Sequence, residues 1–157
     1  MIPSLPQAGV FPNAIVSTRR FAASPALLWQ AWSEPELLAR WWGPDGFTNS
    51  FAEFDFRPGG DWRFVMHGPN GTDYPNYCRF VDIVPAERII LDHVTAPVFR
   101  ITATFTEELD GTRLVFRMQF DDPETCAAVA RYAVPCNEQN FDRLEAVLAG
   151  LGEAGHA

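Results

Sequence analysis

The chain has 157 residues, 47% of them apolar and 20% charged, with a formal net charge of −8. That length gives room for one domain with a substantial core, and the composition excludes a disordered chain. The acidic balance, with Arg19-Arg20 as the one adjacent basic pair, excludes a nucleic-acid-binding surface.

Residues 1–12 are rich in Pro and small residues and read as an extended surface arm. They have neither the basic start nor the long apolar core of a signal peptide, and no apolar run in the chain reaches transmembrane length. A cytoplasmic protein without membrane insertion is expected. Ala14–Phe21 reads as a first strand. Ser24 before Pro25 is an N-cap followed by Pro at the first helical position, so a short helix is predicted over Pro25–Trp32. Glu34-Pro35 restarts a second one to Trp41, with Leu37, Leu38 and Trp41 as its apolar stripe. Gly43-Pro44-Asp45-Gly46 is a loop by composition.

Strands then follow in series. Thr48–Phe56 alternates, with Ala52, Phe54 and Phe56 expected on one face. Pro58-Gly59-Gly60 is a turn in which both glycines are free to take positive φ. In Gly60–His67 the bulky Trp62, Phe64 and Met66 share one face, which suggests a sheet curving around a helix or a cavity. Asn76–Val84 and Arg88–Val94 come next; Tyr77 and Arg79 are expected to share a face with Val81 and Ile83. Phe99–Leu109 and Thr112–Phe120 are joined by Asp110-Gly111, the strongest hairpin signal in the chain. Short connections imply an antiparallel meander.

The remainder is helical. Pro135 is unfavourable inside a helix. The expectation is therefore a short helix over Pro123–Arg131, a break, and a long helix from Pro135 to Leu151 with Phe141, Leu144, Leu148 and Leu151 as its stripe. Residues 152–157 should fray, leaving residues 13–151 as the domain. Cys78, Cys126 and Cys136 form no CxxC or Cys/His pattern, so free thiols and no metal site are expected.

The order and residues of these elements resemble the helix-grip superfamily also called SRPBCC, which includes START and birch-pollen-allergen-like proteins. Within it the chain is similar to the bacterial relatives of the C-terminal domain of the activator of heat-shock-protein-90 ATPase. The matching residues are Phe21-Ala22-Ala23-Ser24-Pro25, Leu28-Trp29, Ala31-Trp32, Trp41-Trp42-Gly43-Pro44, Gly46-Phe47, Asp55, Arg57-Pro58-Gly59-Gly60, Pro85, Glu87-Arg88, Gly111-Thr112 and Asp142-Arg143-Leu144. The resemblance implies an α+β helix-grip fold. A curved antiparallel sheet of six to seven strands would wrap a long C-terminal helix, with two short helices after the first strand. It implies a cavity between sheet and helix for a lipid-like or polyketide-like molecule, and one branch of the family binds a chaperone. It does not imply one shared catalytic set, and no cofactor is expected. The family often has Gly-Trp where this chain has Cys136-Asn137. A small polar group for a large aromatic would enlarge or polarise that end of the pocket.

The pocket expected from residue type and position is lined by Trp41, Trp42, Trp62, Phe64, Met66, Phe105, Met118, Phe120 and Phe141. Tyr77, Arg79, Asn137 and Glu138 are the polar groups expected near it. Each has a plainer reading, as core packing or as solvated surface. His67 reads as a loop-end surface residue. Asp92 cannot orient His93, because adjacent strand residues point to opposite faces. No serine or cysteine has a nucleophile-elbow context. Three functions follow: a receptor for a hydrophobic small molecule, which is preferred; an enzyme of the polyketide cyclase or hydrolase type in the same cavity; and a chaperone partner. The length leaves no room for the extra N-terminal domain of the eukaryotic chaperone activator, so chaperone binding is not expected. The aromatic surplus would suit a homodimer.

Overall fold

The computed structural model describes residues 8–154, without the side chains of 153 and 154. Eight strands form one antiparallel sheet: β1 (Gly9–Val10), β2 (Ala14–Phe21), β3 (Thr48–Phe54), β4 (Asp61–His67), β5 (Asp73–Val84), β6 (Arg88–His93), β7 (Phe99–Glu108) and β8 (Gly111–Gln119). Two short helices, α1 (Pro25–Ser33) and α2 (Pro35–Trp41), link β2 to β3, and α3 (Pro123–Ala154) closes the chain. The strand order is β1-β2-β8-β7-β6-β5-β4-β3. β3 to β8 form the expected meander, and β2 pairs with β8, so the link through α1 and α2 crosses to the far edge. This is the α+β helix-grip architecture, a curved sheet with a long helix against it. The strand beyond the expected seven is β1, at the end of the N-terminal arm, where Gly9 pairs with Val16. The rest of the arm, residues 1–7, lies outside the described residues.

The local signals act as their chemistry requires. Ser24 Oγ accepts from the Leu27 amide at 3.2 Å and caps α1. Asp122 caps α3, accepting from the Thr125 amide at 2.7 Å and from the Thr125 hydroxyl at 2.7 Å. The two turn glycines differ from expectation. Gly59 has φ +83°, whereas Gly60 is needed because a Cβ there would run into the Asp55 carbonyl.

Two bulges change which side chains face inward. The β3–β4 register shifts between Phe51 and Glu53. Phe51 and Phe54 therefore pack on the core while Ala52 is exposed, against the simple alternation. The β5–β6 register shifts between Phe80 and Asp82. Ile83 consequently packs against the core, and Val81, at 38% exposure, stays outside with Tyr77 and Arg79. Such bulges increase twist and help the sheet to curve.

The expected break before Pro135 does not occur: α3 is one helix of 32 residues with Pro135 inside it. Pro135 is exposed, while Cys126, Val129, Ala133, Asn137, Phe141, Leu144 and Leu148 form one buried stripe on the opposite side. Burying that stripe on both sides of the proline outweighs the lost backbone bond, a cost of about 3 kcal/mol. The helix also runs past Leu151, through the start of the tail expected to fray; residues 155–157 lie outside the described residues.

Candidate functional site

Much of the space between α3 and the sheet is solid. Phe141 meets Phe21 edge to face at 5.8 Å, and Trp62 meets Trp42 at 5.0 Å and Phe64 at 4.3 Å between ring centroids. The packing ends near the middle of α3. There an open groove of about 450 Å³ lies between the helix, the inner face of the sheet and the α2–β3 loop. Trp42, Phe116, Met118, Ile101 and Phe99 line it from the loop and sheet. Gly43, Pro44, Phe47, Met66 and Tyr74 form one bank, and Tyr132, Ala133, Cys136, Asn137 and Asn140 of α3 form the other.

Each bank is held by identifiable bonds. Arg143 of α3 reaches across to the α2–β3 loop. Its Nη1 donates to the carbonyls of Gly43 at 2.7 Å and Pro44 at 3.0 Å, and its Nη2 to those of Arg40 at 2.8 Å and Phe47 at 2.9 Å. Asn49 Nδ2 donates to the Trp42 carbonyl at 2.7 Å from the other side. Gly43 has φ +101°, a backbone conformation that strains any residue with a side chain, and a Cβ there would also displace the Met66 methyl, 2.8 Å away. On α3, Asn137 is buried within the apolar stripe, and its Nδ2 donates to the buried Ser17 hydroxyl of β2 at 3.1 Å.

Of the thirteen residues expected at a pocket, Trp42, Met66, Met118 and Asn137 line this groove. Trp41 turns the other way, packing on Trp32 at 4.9 Å and donating from its indole to the Ala31 carbonyl. Trp62, Phe64, Phe105, Phe120 and Phe141 are core residues. Tyr77 and Arg79 lie on the outer face. There the Tyr77 hydroxyl donates to Asp61 at 2.6 Å and accepts from Arg79 at 2.8 Å, which holds the Asp61 carboxyl below its usual range. Glu138 is exposed and pairs with Arg19 at 3.0 Å, as Asp142 and Glu145 also do. Beyond Cys136, whose departure from the resembled family had marked this end of the pocket, sequence reasoning missed Tyr132, Ala133 and Asn140 of α3 and Gly43, Pro44, Phe47, Tyr74, Phe99, Ile101 and Phe116 of the loop and sheet. The expected break at Pro135 cut Ala133 off from Asn137 and Asn140, which a continuous helix puts on one face.

The groove lining contains no Asp, Glu, Arg, Lys or His side chain. Burial pushes the Tyr132 hydroxyl and the Cys136 thiol up from their ordinary values, so both are neutral near pH 7. A Ser–His–Asp series does occur elsewhere. Ser50 Oγ lies 2.7 Å from His67 Nε2, and His67 Nδ1 lies 2.7 Å from Asp73. Ser50 on the edge strand β3 and Asp73 at the start of β5 are both exposed, and neither lines the groove. Among the described residues no group of three or more His, Cys, Asp or Glu could hold a metal, and no helix is long and apolar enough to cross a membrane.

The family model described as Activator of Hsp90 ATPase homolog 1-like protein matches residues 22–149. The chain belongs to that family, within the SRPBCC superfamily. No curated protein matches it. A crystal structure of a Rhodobacter sphaeroides protein is similar with a TM-score of 0.83 at 28% identity, covering 92% of this chain and 98% of that one. A protein from Nitrosomonas europaea (TM-score 0.82, 23% identity, 88% and 96% covered) and one from Arthrobacter aurescens (0.83, 22%, 96% and 93%) share the fold. Two of the segments that carried the resemblance meet at the groove of this family member: Trp42, Gly43 and Pro44 line it, and Arg143 ties their loop to α3. The Cys136-Asn137 pair lies on the other bank.

Proposed function

We propose that the protein is a receptor for a hydrophobic, aromatic small molecule, bound in the groove between α3 and the sheet. One observation carries this reading: the groove between α3 and the sheet is lined by apolar and aromatic side chains and by no charged one. Its volume of about 450 Å³ falls in the range of small-molecule sites, about 300–1,000 Å³. The fold is a ligand-binding scaffold, which favours the same reading. The cyclase or hydrolase alternative needs an acid or base beside the substrate, and the lining supplies none that titrates near neutrality. The cytoplasm remains the proposed location.

A solvatochromic probe tests the reading. Nile red, which is neutral and apolar, should bind with a blue-shifted, enhanced emission and saturate at one site per chain. Cys78 and Cys126 are buried and Cys136 is half-buried on the groove. Alkylating Cys136 with N-phenylmaleimide at mildly alkaline pH should fill the groove and abolish the signal. Failure of Nile red to bind, or undiminished binding after alkylation, would overturn the proposal.

A further inference from the structure

We propose that Ser50, His67 and Asp73 form a second site, on the outer face of the sheet, where they hydrolyse esters with a short apolar acyl group. This site is separate from the groove and stands without the receptor reading. His67 follows Met66, which lines the groove, so its side chain points to the opposite face. Its strand, β4, lies between β3 and β5. His67 pairs in register with Asp73 of β5 on one side and with Thr48 of β3 on the other, and Ser50 is the next residue along β3 on the same face. The three side chains therefore meet across neighbouring strands. Ser50 Oγ lies 2.7 Å from His67 Nε2, and His67 Nδ1 lies 2.7 Å from Asp73 Oδ1.

The order of these bonds places the proton. A carboxylate only accepts, so the contact with Asp73 puts the ring proton on Nδ1. Nε2 of the neutral ring is then an acceptor, and the Ser50 hydroxyl donates to it. This is the arrangement in which a histidine takes the serine proton as the oxygen attacks, and it is recognised by geometry rather than by fold or sequence position. Here the sheet ladder supplies the geometry that a nucleophile elbow supplies elsewhere. The row beside it is apolar: Val65 pairs with Ser50 on one side and with Pro75 on the other, which gives an acyl chain a surface to rest on. As the edge strand of the described sheet, β3 leaves alternate backbone amides beside Ser50 without a strand partner, and these are the donors for the oxyanion.

In the first step Ser50 Oγ bonds to the acyl carbon, its proton passes to His67 Nε2, and the ester C–O bond breaks; the alcohol leaves with that proton. Water then attacks the acyl-serine, gives a proton to His67, and releases the carboxylic acid as Ser50 Oγ regains its hydrogen. Ester and water become acid and alcohol, with no other reactant.

A fluorophosphonate probe, which phosphonylates activated serines with loss of fluoride, tests the site. Peptide mapping should place one label per chain, on Ser50, and His67→Ala should abolish it. The protein should also turn over 4-nitrophenyl acetate. Ser50→Ala should lower that rate by about a hundredfold, and Asp73→Asn, which keeps the shape but frees the other tautomer, by about tenfold or more. No label on the wild-type protein, a label on another serine instead, or hydrolysis that survives Ser50→Ala would overturn the proposal. The last outcome would mean that a histidine alone takes the acetyl group. Labelling of the wild-type chain decides the matter even if a variant does not fold, and neither result bears on Nile red binding in the groove.

Discussion

The Nη1 of Arg143 lies 2.7 Å from the carbonyl oxygen of Gly43, the start of a fork that joins the long helix to the loop facing it. Four carbonyls from Arg40 to Phe47 share this one guanidinium. No carboxylate pairs with it closely, and burial pulls its pKa down from the usual arginine value. Among the described residues the loop makes no other charged hydrogen bond to α3; Gln139 adds a neutral one, accepting from the Asp45 amide at 3.0 Å. Arg143→Ala should therefore lower stability by about 2–4 kcal/mol, since several charge-assisted bonds are lost and carbonyls are left unpaired. Arg143→Lys should recover less than half of that, because a single ammonium cannot span the fork. Urea unfolding midpoints measure both, and a midpoint for Arg143→Lys equal to that of the wild type would refute the account.

The buried pair of Ser17 and Asn137 makes a second test. Both are 5% exposed, in positions where a strand and a helix stripe otherwise carry apolar residues. Ser17→Ala and Asn137→Leu should each cost about 1–2 kcal/mol, because each leaves a polar partner without its bond. The double variant should cost clearly less than their sum, by a coupling of about 1 kcal/mol. Strict additivity in denaturant unfolding would mean that the two side chains do not depend on one another.

How far the sequence could be read depended on the range of the cause. Trp62 and Phe64 alternate with polar neighbours, and both are buried, because strand periodicity is a local property of three consecutive positions. Ser24 and Pro25 begin a helix for equally local reasons. Arg143 could be matched to a family segment but not given a role, since its partners lie about a hundred residues away and are backbone atoms. The bulge that sends Ala52 outward has no marker in the surrounding residues. Aromatic identity could not separate Trp41 from Trp42 either. Which neighbour faces the groove is decided by the end of α2, where Trp42 is already extended.

Burial of His93 gives the protein a pH-dependent contribution. The ring stacks on Phe99 at 4.6 Å, with Nε2 2.8 Å from Asn76 Oδ1 and Nδ1 3.0 Å from the Pro97 carbonyl. Asn76 Nδ2 donates to the Tyr74 carbonyl, so its oxygen faces the ring. Two acceptors would suit an imidazolium, but burial prevails over the pull of the Pro97 and Thr95 backbone and holds the pKa below the ordinary histidine value. The unfolded chain therefore takes the proton first as pH falls. The stabilisation is complete above the unfolded pKa, about 6.5, and is lost as pH drops through the lower folded value. The His93 ring proton in an NMR titration should show a midpoint below that of a free histidine, and His93→Gln should flatten the stability profile under pH 6.5. A raised midpoint would mean that the two acceptors prevail.

Pro135 interrupts the backbone ladder of α3 on its exposed side, while Ala133 and Asn137 hold the helix against the sheet on the other. If packing alone carries the helix past this residue, the proline is a local cost. Pro135→Ala restores an amide to donate to the carbonyl four residues back and removes the ring's clash with that turn. It should raise stability by about 1–3 kcal/mol, with no change in helical circular dichroism. Because Cys136 and Asn137 follow at once on the groove wall, Nile red affinity reads the same change from the site. Unchanged affinity with higher stability would make the proline a tolerated residue in a helix fixed by its buried stripe. Lower stability, or a loss of probe binding, would mean that the proline itself shapes the groove, and the packing argument for α3 would fail.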